Sequence, residues 1–509
     1  MTHSIRMMVG QVLALATTAV VAVAVSYRYQ RQGRKKVESK KANERSVNTC
    51  ASTAIDLDVM QSWLAKSQDS GSDQVVCCVV LGGEVPTKEK ILTTVEVMQR
   101  RHCVLRSVLC ADTDGNLRFC EQETPISGSV TVYDKKLWRD VADHCLNTIH
   151  FPMPQKDQPT SLWKVFLCTG GKDAAFVFVL NHVVFDGTSR NRFLHEFLSH
   201  LRPEKQQLAP EHCNLSIVNV KHLSEKTSKM TWPRFAYDSL QYWWNEVWWM
   251  RHQWLYPLED APGFTSIDTE KRTRQILFSL SEEVTTDIIR QCKVNGTTVH
   301  GALSAAGHRA MVLTARERGY EVPSKTFFGG SHLISLWKDI TTHLEPNTIN
   351  GVFISVAPIN ICTDIGSDGW TQARQIKAEL QRFQPLQFSQ FRYMQSCRNI
   401  VTKTKKLLGS STAALPEAYQ VLGRTGSHFS ISNNGRVCFD NEYDGTTVEA
   451  VFACSARHNV PGSLGTLNVQ TIRGKMHLGW SYYTQVWSNE TAELFVKIFQ
   501  KELGKMSRG

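Results

Sequence analysis

No two of the 14 cysteines stand in a C-x-x-C pair, so a zinc ribbon or finger does not organise this chain and no metal site is expected. A chain of 509 residues with 42% hydrophobic content builds its own core and needs no disulfide framework. The cysteines therefore read as small buried hydrophobes with a few exposed thiols. No G-x-S-x-G elbow occurs, which removes the sequence mark of an α/β-type serine hydrolase. No segment repeats with a period of about 20 to 50 residues, which excludes solenoids and propellers. With 21% charged and 9% aromatic residues the chain is not a disordered one.

Positive charge is the one excess, at a formal +11. Its placement matters more than its size. Arg28, Arg31, Arg34, Lys35, Lys36, Lys40 and Lys41, set against Glu38 alone, carry six of those eleven charges. They follow Met7 to Val25, a stretch of 19 residues without a charge. As a helix that stretch is about 28 Å long, close to a bilayer's hydrocarbon thickness. Ala22-Val23-Ala24 resembles a signal-peptide cleavage site, but the run is long and its strongest basic cluster follows it. The expectation is an uncleaved anchor over residues 7–25, with the bulk of the chain in the cytosol by the positive-inside rule. No zinc-finger, RNA-recognition or helix-turn-helix pattern accompanies the charge, so the expected partner is a membrane and not nucleic acid.

Beyond a basic linker at residues 28–49, strand-like and helix-like segments alternate. Gln74 to Leu81 is a nearly continuous apolar, β-branched run and predicts a buried strand. Lys88 to Arg101 and Leu137 to His150 predict helices, and Val104 to Leu109 a short strand. Trp163 to Thr169 and Ala174 to Leu180 predict a hairpin turning at Gly170-Gly171-Lys172-Asp173. A helix begins after Gly187, capped by Thr188 or Ser189, with Phe193, Leu194, Phe197 and Leu198 as its apolar stripe. A second α/β region starts near Arg274. It holds an alanine-rich helix over Thr297 to Arg318, a buried strand over Val352 to Ile361, and a closing strand and helix over Val469 to Trp480 and Thr491 to Leu503.

The chemistry-bearing segment is Asn181-His182-Val183-Val184-Phe185-Asp186-Gly187. A neutral imidazole, with an ordinary pKa near 6.5, can take a proton from an attacking hydroxyl and return it to a leaving thiolate. Asp186 either orients the ring or holds the loop by pairing with an arginine, and Gly187 offers a backbone conformation other residues resist. On spacing alone other readings stay open: an ordinary core histidine, a metal pair at i,i+4, or part of a Ser-His-Asp hydrolase. The metal pair needs a helical face, and a strand before with glycine after argues for a turn.

This segment resembles the H-x-x-x-D-G motif of the chloramphenicol acetyltransferase-like superfamily, which includes condensation domains, BAHD acyltransferases, alcohol acetyltransferases and wax ester synthases. Arg101-His102-Cys103-Val104-Leu105-Arg106 is similar to the R-H-x-x-L-R segment of condensation-type domains. Ser161-Leu162-Trp163-Lys164-Val165 takes the place of their P-L-W-R-V strand, and Thr297 to Leu303 resembles the start of the first long helix of the second lobe. Ser432-Asn433-Asn434-Gly435 looks like the S-N-x-G strand near the substrate tunnel. The sequence departs from the pattern at Asn181, where condensation domains carry a second histidine, and it lacks D-F-G-W-G and any carrier or adenylation module.

The resemblance, over roughly residues 50–500, implies an α/β fold of two similar lobes with mixed sheets, and the uncharged run at 7–25 sets one transmembrane helix before it. Together with the composition of the segments, it divides the chain into an anchor (1–27), a linker (28–49), a first lobe with the motif (50–230), a Trp-rich crossover (231–273) and a second lobe (274–509). It implies His182 as base, Asp186 as mainly structural, and Gly187, Ser432 and Asn433 at the substrate. Acyl-CoA is the expected co-substrate, with no bound cofactor. Trp232, Trp243, Trp244, Trp248, Trp249 and Trp254 crowd the crossover. Tryptophan favours the membrane–water interface, so residues 240–255 are either a second membrane contact or a helix packed on the lobes. The expected activity is acyl transfer to a hydroxyl of a hydrophobic acceptor, in a single-pass protein of the endoplasmic reticulum facing the cytosol. An amide-forming enzyme and an inactive acyl-CoA-binding membrane protein are the alternatives.

Overall fold

Apolar runs too continuous to sit at a sheet edge become central strands, and helices pack on the sheets they form. In the computed structural model the described residues are 54–69, 73–111, 117–123, 126, 129–149, 151, 160–206, 272–340, 351–383, 429–456, 463–484 and 487–508. The expected anchor at 7–25, the basic linker and the tryptophan-rich segment at 240–255 lie outside them. No helix among the described residues is long and apolar enough to cross a membrane.

The first half runs β1 (Ala54–Asp56), α1 (Val59–Asp69), β2 (Val75–Gly83), α2 (Lys88–Arg101), β3 (Ser107–Ala111), β4 (Leu117–Glu121), β5 (Val130–Leu137), α3 (Trp138–Thr148), β6 (Thr160–Ser161), β7 (Trp163–Gly170), β8 (Ala174–Leu180) and α4 (Gly187–Ser199). The second half runs β9 (Thr273–Ser279), α5 (Glu282–Val294), α6 (Val299–Glu317), β10 (Lys325–Ser335), β11 (Ile354–Asp364), α7 (Gly369–Phe383), β12 (Phe429–Arg436), β13 (Thr446–Ser455), β14 (Gly465–Ile472), β15 (Lys475–Tyr483) and α8 (Asn489–Ser507).

One sheet has the order β13-β2-β8-β7-β5 and another β11-β10-β12-β14-β15-β9, with a small one, β1-β4-β3-β6, beside them. Both large sheets are mixed: β5 runs parallel to β7, and β12 runs parallel to β10 and β14. Alternation along β8 sorts its side chains between two layers. Val177 and Val179 meet Val141, Ala142, Cys145 and Leu146 of α3. Phe176 and Phe178 meet Phe193 and Phe197 of α4, edge to face at 5.1 to 5.7 Å between ring centres. In the second half, α6 and α8 cover the other large sheet, and Trp480, Trp487 and Phe495 interlock in that core.

The chain of the second half completes the sheet of the first. Strand β13 lies along β2, with Ser455 opposite Val75 and Phe452 opposite Cys78. Three expectations change in detail. Val469 to Trp480 is not one strand but the hairpin β14–β15, which turns at Arg473 and Gly474 with φ of 47° and 77°, the paired positive values a tight hairpin requires. Val104 to Leu109 opens as a 3₁₀ turn over Cys103–Arg106, closed by the Leu105 N–H on the His102 carbonyl at 2.9 Å, and the Leu105 carbonyl accepts from Trp163 Nε1 at 2.9 Å. The cap of α4 is Asp186, two residues before the expected Thr188 and three before Ser189.

Candidate active site

Where β8 ends, Asn181 turns the chain. Its N–H donates to the Leu162 carbonyl at 2.9 Å, its side-chain Oδ1 accepts the Val183 N–H at 2.9 Å, and its own carbonyl accepts from Val184 at 3.0 Å. Asparagine does this with a short side chain that imitates a backbone turn, which gives Asn181 a local role where condensation domains carry a histidine. Val183, Val184 and Phe185 are buried. Phe185 bridges to Gly351, whose N–H donates to the Val184 carbonyl at 2.8 Å. The loop thus leaves the first sheet and is held by the second half of the chain.

Asp186 completes that hold. Its Oδ1 accepts the Ser189 N–H at 2.8 Å, and the Ser189 hydroxyl accepts the Asp186 N–H at 2.8 Å, a reciprocal box at the start of α4. Its Oδ2 accepts Trp337 Nε1 at 2.7 Å and the Phe353 N–H at 2.8 Å. The carboxylate is 2% exposed. The expected arginine partner is replaced by tryptophan and backbone, because Arg190 turns to Asn191 Oδ1 at 2.9 Å and Gln470 Oε1 at 3.0 Å. Nor does Asp186 orient the imidazole, since His182 Nδ1 is buried without a hydrogen-bond partner.

His182 stands at the mouth of this turn, partly exposed while its neighbours are buried. Helix α1 braces it. Gln68 Oε1 accepts the His182 N–H at 3.3 Å, and Gln61 Nε2 donates to the Val183 carbonyl at 3.2 Å. Burial pushes the affinity of the ring for a proton below the ordinary range, and Arg190 pushes the same way; Asp73, the residue's own backbone and Asp186 oppose it. The imidazole is therefore neutral at pH 7, the state a general base needs. The nearby thiols are not competing nucleophiles. Burial holds Cys77 up at about 11 and Cys454 at about 12, so neither is a thiolate at neutral pH.

Gly187 owes its place to a close approach rather than to an unusual backbone. It is the first residue of α4 and is not among the glycines of positive φ. A Cβ there would lie 1.7 Å from Asn434 Oδ1. Asn434 comes from β12, whose register against β14 shifts between Asn433 and Arg436. Asn433 spends its Oδ1 on the Gly435 N–H at 2.9 Å, within that irregularity. Of the residues Ser432-Asn433-Asn434, the one seated on the motif is thus Asn434, and its Nδ2 is buried without a partner. Ser432 is half-buried on the same strand, opposite Asn468.

Sequence reasoning missed Gln61, Gln68, Trp337, Gly351, Phe353 and Asn434. Only the first had a local signal. Asp58 and Gln61 form a box at the start of α1, with the Gln61 N–H on Asp58 Oδ1 at 2.8 Å and the Asp58 N–H on Gln61 Oε1 at 3.1 Å.

No family model and no curated protein matches the chain by sequence. Solved structures match it in fold. A trichothecene 15-O-acetyltransferase from Fusarium sporotrichioides superposes with a TM-score of 0.63 at 11% identity, covering 89% of this chain and 95% of that one. The first condensation domain of the calcium-dependent antibiotic synthetase, in complex with a substrate analogue, gives 0.61 at 13% identity, covering 90% and 97%. The epimerization domain from the third module of tyrocidine synthetase B gives 0.58 at 15% identity, covering 91% and 99%. The chain shares the α/β fold of these acetyltransferase, condensation-domain and epimerization-domain structures.

Proposed function

We propose that this chain is a membrane-anchored, CoA-dependent O-acyltransferase. The observation that carries the reading is His182: a neutral, part-exposed imidazole on a loop held by both halves of a fold that is also the fold of an O-acetyltransferase. In this reading His182 takes the proton of an acceptor hydroxyl, and the oxygen attacks the thioester carbonyl of acyl-CoA. The tetrahedral intermediate collapses with cleavage of the C–S bond, and the imidazolium returns the proton to the leaving thiolate. No acyl-enzyme forms. Asp186 and Gly187 maintain the loop, while Ser432 and Asn433 line the approach to it. The partnerless Nδ2 of Asn434 is the side-chain donor on hand for the carbonyl oxygen as it gains charge. Residues 7–25, and 240–255 as a second contact, hold the protein at the endoplasmic reticulum membrane, and the acceptor is lipid-like.

The test is thiol release from a panel of acyl-CoAs with lipid-extract acceptors. Acceptor-dependent release that drops at least about a hundredfold in His182→Ala is the expected result. Equal release by both proteins overturns the assignment of the base. A product that proves to be an amide moves the reaction to the amide-forming alternative with the same base.

A further inference from the structure

Asp73 is a buried carboxylate that the steps above do not use. It stands two residues before Val75, the first residue of β2. Val75 lies opposite Leu180, the last residue of β8, in antiparallel register. Asp73 and His182 thus both lie within two residues of the ends of these adjacent strands, Asp73 just before β2 and His182 just after β8. The pairing of β2 with its other neighbour does continue past Val75: the Ala456 N–H donates to the Gln74 carbonyl at 2.9 Å, and the Asp73 N–H donates to the Ala456 carbonyl. The backbone at Asp73 is left-handed, with φ of 61°, a conformation that aspartate tolerates better than most residues. Ser67 Oγ donates to its Oδ2, which ties the carboxylate to α1. The next residue of that helix, Gln68, holds the His182 N–H.

The charged groups facing the imidazole are Asp73 ahead of β2, and Asp186 and Arg190 at the start of α4. Asp186 divides its oxygens among Ser189, Trp337 and Phe353. Arg190 is turned to Asn191 and Gln470, and it opposes protonation. Asp73 favours the protonated ring more than Asp186 does. A base whose charged form is penalised by burial takes a proton weakly, and a fixed anion nearby offsets that penalty.

We propose that Asp73 is the electrostatic partner of His182, a positioning residue whose carboxylate stabilises the imidazolium formed as the acceptor's proton is taken. Its catalytic meaning rests on His182 being the base; the charge pairing does not. Two architecturally distinct carboxylates then divide the work: Asp186 builds the loop, and Asp73 supplies the field.

The experiment follows carbethoxylation of His182 by diethyl pyrocarbonate against pH in the full chain, read by peptide mass spectrometry, alongside the pH profile of kcat/KM. Only the neutral ring reacts, so the midpoint reports the proton affinity of His182. Asp73→Asn and Asp73→Gly both accept the left-handed backbone and both remove the charge. The expected result is a midpoint lower by roughly half to one pH unit in both, with the acid limb of kcat/KM moving by the same amount and its plateau falling about three- to tenfold. The sign follows from the removal of an anion, which makes the imidazolium harder to form. An unmoved midpoint in both variants, with melting temperature intact, overturns the proposal. If transfer depends on His182 while neither variant moves the midpoint, only this inference fails. If the midpoint moves and no thioester turns over, the pairing stands and the acyltransferase reading fails.

Discussion

Two residues four apart do unlike work in one motif. His182 is the part-exposed member, and its ring takes no part in the hydrogen-bonded frame of the loop. Asp186 is nearly sealed from solvent and accepts from the Ser189 and Phe353 amides and from Trp337. Removing it strands buried donors from two separate parts of the chain. Asp186→Ala is therefore expected to cost on the order of 3 to 5 kcal/mol, to lower the melting temperature by several degrees, and to lose activity along with it. His182→Ala is expected to lose activity with its melting temperature within about two degrees of wild type, since no packed hydrogen bond from its ring is broken. Thermal denaturation by circular dichroism beside thiol release separates the two. A fully stable but inactive Asp186→Ala would instead place the aspartate in the chemistry. The pattern of residues marked the pair as special, but its division of labour was not legible, because Trp337 and the Phe353 amide arrive from more than 150 positions along the chain.

At the scale of single elements, the first helix helps decide how the backbone at His182 is held. Helix α1 reaches the loop through two glutamines, Gln61 to the Val183 carbonyl and Gln68 to the His182 N–H. Gln68→Ala is expected to cost about 1 kcal/mol of stability and about three- to tenfold in kcat, with KM little changed, because it loosens the backbone that aims the base and touches no substrate. A KM effect equal to the kcat effect would place Gln68 at the substrate. The helix was not legible from periodicity. Gln61, Ser62, Ser67 and Gln68 are buried beside Met60, Leu64 and Ala65, so its buried residues are as often polar as apolar and no clean apolar stripe marks it in the sequence. Helix α2 was legible to its end residues. Ile91, Val95 and Met98 make a clean stripe, and the Thr87 side chain caps Lys90. The turn of the β14–β15 hairpin escaped notice because Arg473-Gly474 is not one of the asparagine or aspartate pairs that announce such turns. Asn434 carried no signal of its own, because its approach to Gly187 depends on the register shift of β12 against β14 after Asn433.

The molecule as a whole is less divisible than its linear order suggests. The mixed order of strands and helices made a two-lobed α/β fold legible, and the motif placed His182 at the end of a strand. What the order hides is that β13, far along the second half, forms the outer neighbour of β2. Phe452, Cys454 and Ala456 belong to the same core as α3 and β8, and Trp138 stacks on Phe452 at 6.1 Å between ring centres. Thr273 and Asn147 exchange two hydrogen bonds, at 2.9 and 3.0 Å, fastening the start of β9 to α3. The loop that carries His182 is itself closed by Gly351, Trp337 and Phe353. A fragment of residues 1–230 would expose the β2 edge, a run of valines and cysteines with unpaired backbone groups, and would lose three of the groups that shape the loop. Such a fragment is expected to aggregate when expressed alone. Co-expression with residues 231–509 is expected to recover a soluble, 1:1 complex that melts cooperatively and retains thiol release, since strand pairing between halves needs no covalent link. A fragment 1–230 that is monomeric and melts cooperatively by itself would show that β13 is dispensable to the first sheet, and that the halves fold as independent bodies which only afterwards meet around His182.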